Sequence, residues 1–399
     1  MKLEEFQLKP GSHFGSGRVR RFVLPDKTRI TQITTFCPDL IGPGPTHLYL
    51  IEGDAVVLVD AGMPTNLAKA FFYQWRNQPM PRDVEALPPD QSEREINDGL
   101  SLAGRSLSDI DVLVITHGHP DHFLMAASLV RQGARSVAAH VLDTPEVCNP
   151  WGMLHAWVSR QEQMTATGMP PAWSAGESAK EQVYYSLNLD LMAATLKVDS
   201  PVFQDGPLTI RGSAVPGIEV KHLPGHSPGS IGLLVGKNAD KVLLCGDVLL
   251  NPITPHPDNL LVYLQTLREI AKDDSIQLGF PSHGQLVRDV RTRLAFLREH
   301  HKRRLRLTYE RCSEPQSVWE IATTRHYFDT FVDPGKFNFL AGLEVLVHME
   351  LLVMVHGLHR AHFRNGVQYF QSSREPFESV YERIAELVRN EKAVAIMRY

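Results

Sequence analysis

Thr116-His117-Gly118-His119-Pro120-Asp121-His122 is the segment from which the fold is predicted. It follows the apolar, β-branched run 111–116, which is typical of a buried strand, and it opens a helix. Imidazole and carboxylate groups suit zinc, manganese or iron, and four of them stand within six residues here. His117 and His119 can face one metal centre, while Asp121 and His122 can face a second. A solvated histidine-rich turn is disfavoured because the preceding strand fixes this turn at a sheet edge.

The overall composition is that of an ordinary globular protein. The chain has 399 residues, of which 43% are hydrophobic and 22% charged, so it can bury a large core. Its formal net charge of −4 provides no basic field for nucleic acid or an anionic membrane. No apolar stretch approaches the roughly 20 residues that span a bilayer. The 4 cysteines are scattered, whereas the 18 histidines leave an imidazole-rich metal site open.

Three further segments each place a metal-binding residue type in a turn or at the end of a predicted strand. The Gly/Pro-rich turn 223–230 contains His226, Asp247 ends the strand 241–247, and His283 follows the strand 275–280. Each segment alone is a weak signal, since a lone histidine or aspartate at a strand end is more often structural. Together with the segment 116–122, and in this order, they point to one shared metal site.

The motifs HGHPDH, PGHSPGS, GD and PSHG resemble those of the metallo-β-lactamase superfamily, and VLVDAG upstream matches a further family element. The resemblance implies an α/β fold, an αββα sandwich with a binuclear metal site. A second resemblance, to the β-lactamase-like-2 type of hydrolase, rests on the segments 245–270 and 280–287, on the basic helix 287–311 and on the C-terminal helices and hairpin that follow it. The resemblance covers 31–60, 105–145 and 201–370. One departure is Ser282, because the family motif usually has glycine before the last ligand.

Carried over position by position, the resemblance implies two metal ions that share one carboxylate. The first ion would be bound by His117, His119 and His226. The second would be bound by Asp121, His122 and His283, and Asp247 would bridge the two ions. The ions would be divalent, with zinc first and iron or manganese as the alternatives.

Other residues near these motifs have supporting roles in this interpretation. Asp60 in VLVDAG would orient a ligand imidazole by accepting its other N–H, with a strand-end cap as the alternative. His140 ends a strand on the same side and is interpreted as a neighbour of the site rather than a ligand. His222 and His256 are not expected to be ligands, and the remaining histidines need only ordinary explanations.

The sequence divides into a hydrolase domain, 1–290, and a C-terminal helical domain, 291–399. The hydrolase domain carries insertions at about 64–104 and 148–200. The first insertion is polar and Pro-rich over 77–98, which predicts a loop. The second is rich in methionine and aromatic residues at helical spacing. It is either a helical insertion with its own small core or a lid over an apolar substrate pocket, whose candidate contacts are Trp151, Trp157 and Trp173.

The C-terminal domain has the element order of a winged helix. One helix is predicted before this domain, near 258–272 with Asp258 as N-cap, and further helices are predicted near 287–311, 317–326, 338–354 and 376–390. Asn365-Gly366 between two alternating runs predicts a type I′ hairpin. Winged helices also serve as packing or dimer modules, so a homodimer stays open. The helix 287–311 carries a basic cluster that either tracks phosphates or forms a solvated face: Arg298, Lys302, Arg303, Arg304, Arg306 and Arg311.

The complete ligand set predicts an enzyme, a metal-dependent hydrolase. Two ions can bridge a hydroxide that forms at neutral pH, and Asp121 can orient this nucleophile and take its proton. The negative net charge and the methionine-rich insertion favour an ester, thioester or lactone of a small molecule as the substrate. The alternative is an endonuclease of single-stranded RNA, with nucleic acid the disfavoured partner.

The N-terminal residues contain no apolar segment typical of a secretory signal. Thiols without an obvious pairing suit a reducing compartment. We therefore expect a cytoplasmic enzyme with no membrane partner. A periplasmic enzyme whose signal has been removed is the alternative.

Overall fold

The computed structural model describes residues 3–12, 15–37, 44–69, 81–150, 164–170, 195–236, 241–336 and 338–390. The chain packs as two compact units. The first comprises Met1–Met153, Glu177–Pro255 and Asp273–Val290. The second comprises Leu154–Gly176, His256–Lys272 and Arg291–Tyr399, so it includes two stretches that precede the predicted boundary at 291.

Two β-sheets form the first unit, and their strands run mostly antiparallel. The larger sheet has seven strands in sequential order: β1 (Glu4–Lys9), β2 (Val19–Val23), β3 (Arg29–Thr35), β4 (Thr46–Glu52), β5 (Val56–Val59), β6 (Val112–Val114) and β7 (Val137–Ala138). The smaller sheet has the order β12-β11-β10-β9-β8, with these bounds: β8 (Gly206–Ile210), β9 (Ser213–His222), β10 (Ile231–Val235), β11 (Lys241–Gly246) and β12 (Ile276–Pro281). Strands β5, β6 and β7 are parallel, as are β11 and β12.

The hydrophobic core of the first unit lies between the two sheets. One cluster of buried side chains joins Phe22, Tyr49 and Val114 of the larger sheet to Leu233 and Phe280 of the smaller one. The Phe280 ring packs edge-on against Phe22, with ring centroids 5.0 Å apart. The two sheets are therefore layers of one sandwich, as the family resemblance implies.

The described part of the first unit includes the helices α1 (Arg82–Glu85), α2 (Gln91–Leu102), α3 (Pro120–Phe123), α4 (Ala126–Arg131) and α5 (Thr144–Cys148). The prediction of a loop over 77–98 is wrong for its second half, where α2 forms. This helix buries Ile96, Gly99 and Leu100, and the site of a Cβ on Gly99 lies only 2.6 Å from Ile33. Gly99 thus lets α2 approach strand β3 closely.

The second unit consists of helices and one hairpin among its described residues. In chain order its elements are α6 (Leu260–Lys272), α7 (Val290–Arg311, whose first residue falls in the first unit), α8 (Val318–Ala322), α9 (Phe339–Met354), β13 (Leu358–Arg364), β14 (Val367–Ser372) and α10 (Phe377–Arg389). Asn365 and Gly366 have positive φ values of 51° and 82°, as a type I′ turn requires. Classification of this order as a winged helix stays a prediction.

Two details of the second unit bear on the predictions. Asn259, and not the predicted Asp258, caps α6, because its Oδ1 accepts the Val262 N–H at 3.1 Å. Met164 and Met169 are both buried, and each has a methyl group near the site of a Cβ on Gly342 in α9. These two methionines of the 148–200 insertion are therefore core residues of the second unit. Within the described ranges, no helix is long and apolar enough to cross a membrane.

Candidate metal centre

The predicted ligands of the first unit come from turns that follow strands of both sheets. His117, Asp121 and His122 follow β6, and His226 lies in the turn between β9 and β10. Asp247 follows β11, and His283 follows β12. His119 is the N-cap of α3 and Pro120 its first residue, so Asp121 and His122 fall in the first helical turn. Parallel strands end at the same sheet edge, which brings these turns together.

Three histidines form the first group of candidate ligands. Nε2 of His117 lies 3.0 Å from Nδ1 of His119 and 3.2 Å from Nε2 of His226. The three rings meet edge to face, with centroids 4.6–4.8 Å apart. One nitrogen of each ring can therefore bind a common ion.

Asp121, His122 and His283 form the second group. Nε2 of His283 lies 3.1 Å from Oδ2 of Asp121, and Nε2 of His122 lies 3.5 Å from the same oxygen. Asp247 stands between the groups: its Oδ2 is 3.7 Å from Nε2 of both His122 and His226, and its Oδ1 is 3.5 Å from His283. The structure brings all seven predicted ligands to one place.

Asp60 fixes the orientation of two of these imidazoles. Its Oδ2 accepts the Nδ1–H of His122 at 2.8 Å and the hydroxyl of Thr116 at 3.0 Å. Because the Thr116 hydroxyl donates to Asp60, it accepts the Nδ1–H of His117, 3.0 Å away. Both histidines thereby turn Nε2 towards the centre, the nitrogen that can bind a metal.

Ser282, the departure from the family motif, joins the same network. Its hydroxyl donates to Oδ2 of Asp60 at 3.1 Å. The next residue, His283, donates Nδ1–H towards the backbone carbonyls of Gly44 and Pro45, at 3.1 and 3.2 Å. The serine therefore supports the carboxylate of Asp60, and the Nε2 of His283 is also left to face the centre.

Asp143 is the supporting residue that the sequence interpretation missed. Its Oδ2 accepts the Gly118 N–H at 2.9 Å and the Ser227 hydroxyl at 2.6 Å, and its Oδ1 accepts the Gly229 N–H at 2.6 Å. A Cβ on Gly229 would lie 2.6 Å from this carboxylate, so only glycine allows the approach. Asp143 thus ties the HGHPDH turn to the PGHSPGS turn.

The sequence of this site can now be compared with known proteins. The family description "Metallo-beta-lactamase superfamily" matches residues 41–297, more than half of the chain. The chain belongs to the metallo-β-lactamase superfamily. The enzymes of this superfamily are metal-dependent hydrolases, and we assign the chain to that class.

Individual relatives agree with the superfamily assignment. The chain is 24% identical over 270 residues to the Bacillus subtilis protein named probable metallo-hydrolase YqjP, covering 63% of this chain and 71% of the relative. A β-lactamase domain protein from Burkholderia ambifaria shares the fold with a TM-score of 0.65 at 23% identity, over 91% and 96% of the two chains. A metallo-β-lactamase family protein from Thermus thermophilus has a TM-score of 0.63 at 21% identity, over 86% and 98%.

The buried polar atoms of the candidate metal centre are suited to binding a divalent cation. Nε2 of His122, Nε2 of His283 and Oδ1 of Asp247 are buried, and none has a hydrogen-bond partner among the described residues. Buried polar atoms without partners are costly unless an ion or water satisfies them. Because all three atoms are metal-ligand types, a divalent cation is the group that would satisfy them together.

The charges of the carboxylates in the candidate metal centre also favour binding of a cation. Burial by itself raises the pKa of Asp121, but His122 and His283 lower it to about 2. Burial lowers the pKa of His122, yet the carboxylates of Asp121, Asp247 and Asp60 raise it well above the ordinary value. Asp121 is therefore ionised at neutral pH, and a divalent cation would replace the proton that the carboxylates favour on His122.

The remaining predicted site residues lie apart from the two ligand groups. His140 stacks on His222, with ring centroids 4.0 Å apart, and His222 donates to the Pro228 carbonyl in the PGHSPGS turn. Neither ring belongs to a group of candidate ligands. The candidate substrate contacts Trp151, Trp157 and Trp173 lie outside the described residues.

Proposed function

We propose that the chain is a binuclear hydrolase that cleaves an ester, thioester or lactone of a small molecule. The observation that carries the proposal is the position of Asp247, within 3.7 Å of histidines from both ligand groups. A carboxylate so placed can bridge two ions. His117, His119 and His226 would bind one ion, and Asp121, His122 and His283 would bind the other, with zinc the first expectation.

The two ions, when bound, would supply a hydroxide at neutral pH and polarise the carbonyl of the substrate. Asp121 is the carboxylate placed to handle the proton. Its side chain is 17% exposed, against 8% for Asp247 and 0% for Asp60. With a pKa of about 2 it is ionised, so it can orient a nucleophile and accept its proton.

A small-molecule substrate, rather than RNA, is supported by the contacts that the basic residues of α7 make. Arg304 is buried, with its guanidinium 4.9 Å from the Tyr327 ring centroid and 4.7 Å from that of Phe328. Arg306 pairs with Glu378, and Lys302 lies over the Tyr381 ring. Half of the cluster is thus engaged within the second unit, and the exposed members are Arg298, Arg303 and Arg311. Three exposed cations, with the other three engaged inside the unit, are poorly suited to binding the successive phosphates of an RNA strand.

The location that we propose is the cytoplasm. None of the four cysteines is in a disulfide, and Cys245 and Cys312 are buried. Burial raises the pKa of the Cys312 thiol to about 12, so this thiol is inert. Four cysteines outside disulfides are typical of proteins in a reducing compartment.

A substrate panel tests the proposed reaction. Purified protein loaded with Zn²⁺ is offered an acyl-thioester, an aryl ester, a lactone and a single-stranded RNA. We expect hydrolysis of at least one acyl compound and a loss of about 100-fold or more in Asp121→Asn. Asp54→Asn, a change at an exposed turn residue, is the matched control. Cleavage of RNA with every acyl compound left intact would overturn the proposed class.

A further inference from the structure

A second set of histidines and a glutamate meets inside the second unit, and nothing in the proposed hydrolase reaction uses it. His300 and His301 lie side by side on α7, and Glu344 and His348 lie one turn apart on α9. His256 precedes α6. We call these five residues the helical histidine cluster. They come from three separate stretches of the chain, all belonging to the second unit.

The carboxylate of Glu344 is the centre of this cluster. Its Oε1 lies 3.8 Å from Nε2 of His300 and 3.8 Å from Nδ1 of His348. Its Oε2 lies 3.8 Å from Nε2 of His256. Burial by itself raises the pKa of Glu344, but the surrounding imidazoles, His348 first, hold it below its ordinary range. Glu344 is therefore a buried carboxylate that keeps its charge.

The hydrogen bonds of the cluster determine which nitrogen of His301 carries a proton. Nδ1 of His348 lies 2.5 Å from the backbone carbonyl of Glu344, which can only accept, so Nδ1 carries the proton of this ring. Burial first, and then the charges of His300 and Arg304, lower the pKa of His348 against the opposing effect of Glu344, so the ring is neutral at neutral pH. Its Nε2 is then an acceptor for the Nδ1–H of His301, 3.1 Å away.

This chain of hydrogen bonds ends on an unsatisfied nitrogen. With Nδ1–H donated to His348, Nε2 of His301 has a lone pair and no proton. His301 is 0% exposed, and its Nε2 has no hydrogen-bond partner among the described residues. Burial, with the neighbouring His348, lowers the pKa of His301 well below its ordinary value. The ring therefore does not take a second proton on Nε2, and the lone pair stays unsatisfied. A buried lone pair of this kind is costly unless a cation meets it.

We propose that the helical histidine cluster binds a divalent transition-metal ion, with zinc as the first candidate. His300, His301 and Glu344 each offer one ligand atom, and these atoms lie within 4.8 Å of one another. His256 is the fourth ligand, and His348 orients His301. The set of imidazoles and one carboxylate suits zinc, cobalt or nickel rather than calcium or magnesium. This assignment differs from the sequence interpretation, which gave His256 and these other histidines ordinary roles.

The dimensions and the exposure of the cluster fit this ion. Zinc ligands at about 2.0–2.1 Å in a tetrahedron are roughly 3.3 Å apart, so the 3.8 Å separations from Glu344 need to shorten by about 0.5 Å. The other separations among His300, His301 and Glu344 are at most 4.8 Å and need to shorten by about 1.5 Å or less. His256 exposes 21% of its side chain and Glu344 11%, which gives an ion a way in. The positive charge of Arg304 acts on His348, lowering its pKa, and the negative charge of Glu344 acts in the opposite direction.

Metal counting on the full-length protein tests the proposal. The protein is stripped with a chelator, equilibrated with Zn²⁺ and dialysed, and bound zinc is measured by mass spectrometry. We expect Glu344→Gln to bind one equivalent less than the wild type. The matched control is Glu350→Gln, an exposed glutamate on the same helix, which should bind as much as the wild type. Equal zinc content in the wild type and Glu344→Gln overturns the proposal.

Two additions keep the test decisive. The difference between variants is the measured quantity, so it does not depend on whether the first unit holds one ion or two. If circular dichroism shows that Glu344→Gln is unfolded, His300→Gln replaces it, since the side chain of His300 is 9% exposed whereas His301 and His348 are completely buried. Anomalous diffraction at the zinc edge on wild-type crystals needs no variant: a peak bonded to His301 and Glu344 is expected, and its absence overturns the proposal.

Discussion

At the scale of single residues, the site depends on the atoms behind the ligands as much as on the ligands. His122 and His283 each have Nδ1 engaged by an oxygen acceptor, and His117 has the Thr116 hydroxyl in that role. The ligand types and their order can be predicted from the sequence, because imidazoles and carboxylates after strands are a recognisable pattern. The role of Ser282 could not be predicted. A serine in place of glycine does not indicate that its hydroxyl donates to Asp60, which is 222 residues away in the sequence.

Removing Asp247 tests the bridging role at this scale. Asp247→Ala deletes the only group proposed to contact both ions. We expect bound metal to fall by at least one equivalent and hydrolysis to fall by roughly 100-fold or more, since Asp121 is then the one carboxylate left among the proposed ligands to offset two divalent charges. Bound metal is measured by mass spectrometry and turnover on the best acyl substrate. Asp54→Ala is the control, and near-normal turnover in Asp247→Ala would exclude a bridging carboxylate.

His47 gives a pH-dependent prediction at the same scale. It is buried, its Nε2 donates to the Gly284 carbonyl at 2.9 Å, and its Nδ1 accepts from Thr34 at 3.1 Å. Burial first, and the charges of His283 and Arg18 further, lower its pKa to about 3. The unfolded state binds a proton below about pH 6.5 while the folded state does not, so stability falls as the pH drops from about 6.5 towards 3.

The expected effect of His47 on unfolding can be measured by substitution. Each pH unit in that window costs the wild type about 1.4 kcal/mol through this residue, and His47→Gln removes the dependence. Urea unfolding of the wild type and His47→Gln at about pH 7, 6 and 5 should therefore show curves that converge on acidification. His359→Gln, at an exposed position of the hairpin, should run parallel to the wild type. Parallel curves for His47→Gln would show that this ring does not stay neutral.

At the scale of elements, Asp143 shows why part of the site escapes sequence reasoning. It stands just before helix α5, where an aspartate is normally read as an N-cap, yet its side chain makes no capping hydrogen bond. It binds two turns that are 25 and 84 residues away in sequence. Helix α2 was missed for a related reason: its buried face includes Ser92, Glu95 and Gly99, so few large apolar side chains mark that face in the sequence. By contrast, the strand before His117 and the Asn365-Gly366 hairpin are local patterns, and both are confirmed.

Asp143 also carries a prediction about how the two metal-binding turns are held. Asp143→Ala leaves three buried donors without their acceptor, which costs about 1–3 kcal/mol of unfolding free energy. The looser turns should also weaken zinc binding by roughly 10- to 100-fold. Chemical unfolding and competition with a zinc chelator measure the two effects. Asp98→Ala, which removes only an exposed ion pair with Lys9, should change neither by much; if Asp143→Ala behaves like it, the turns are held by other contacts.

At the scale of the whole molecule, the candidate centre joins the two sheets of the first unit through their strand ends. Its ligands follow β6 in the larger sheet and β9, β11 and β12 in the smaller one. If metal binds the folded state and not the unfolded state, it raises the free energy of unfolding of the whole sandwich. The increase is about 4 kcal/mol when the free metal concentration is 1,000 times the dissociation constant. Because Asp60 and Asp143 hold the ligand turns through hydrogen bonds of their own, removing metal should leave a folded but less stable protein.

Metal removal tests this link between the centre and the fold of the first unit. We expect calorimetry to show that chelator lowers the unfolding temperature of the wild type and that Zn²⁺ restores it. The measurement is best made in Glu344→Gln, so that the helical histidine cluster does not contribute to the shift. In Glu344→Gln combined with Asp247→Ala, zinc should produce a much smaller rise, because the stabilisation follows the occupancy of the centre. An unfolding temperature that does not respond to zinc in Glu344→Gln would mean that the strand ends are held by protein contacts alone, such as those of Asp60 and Asp143, and that the ions serve chemistry without serving stability.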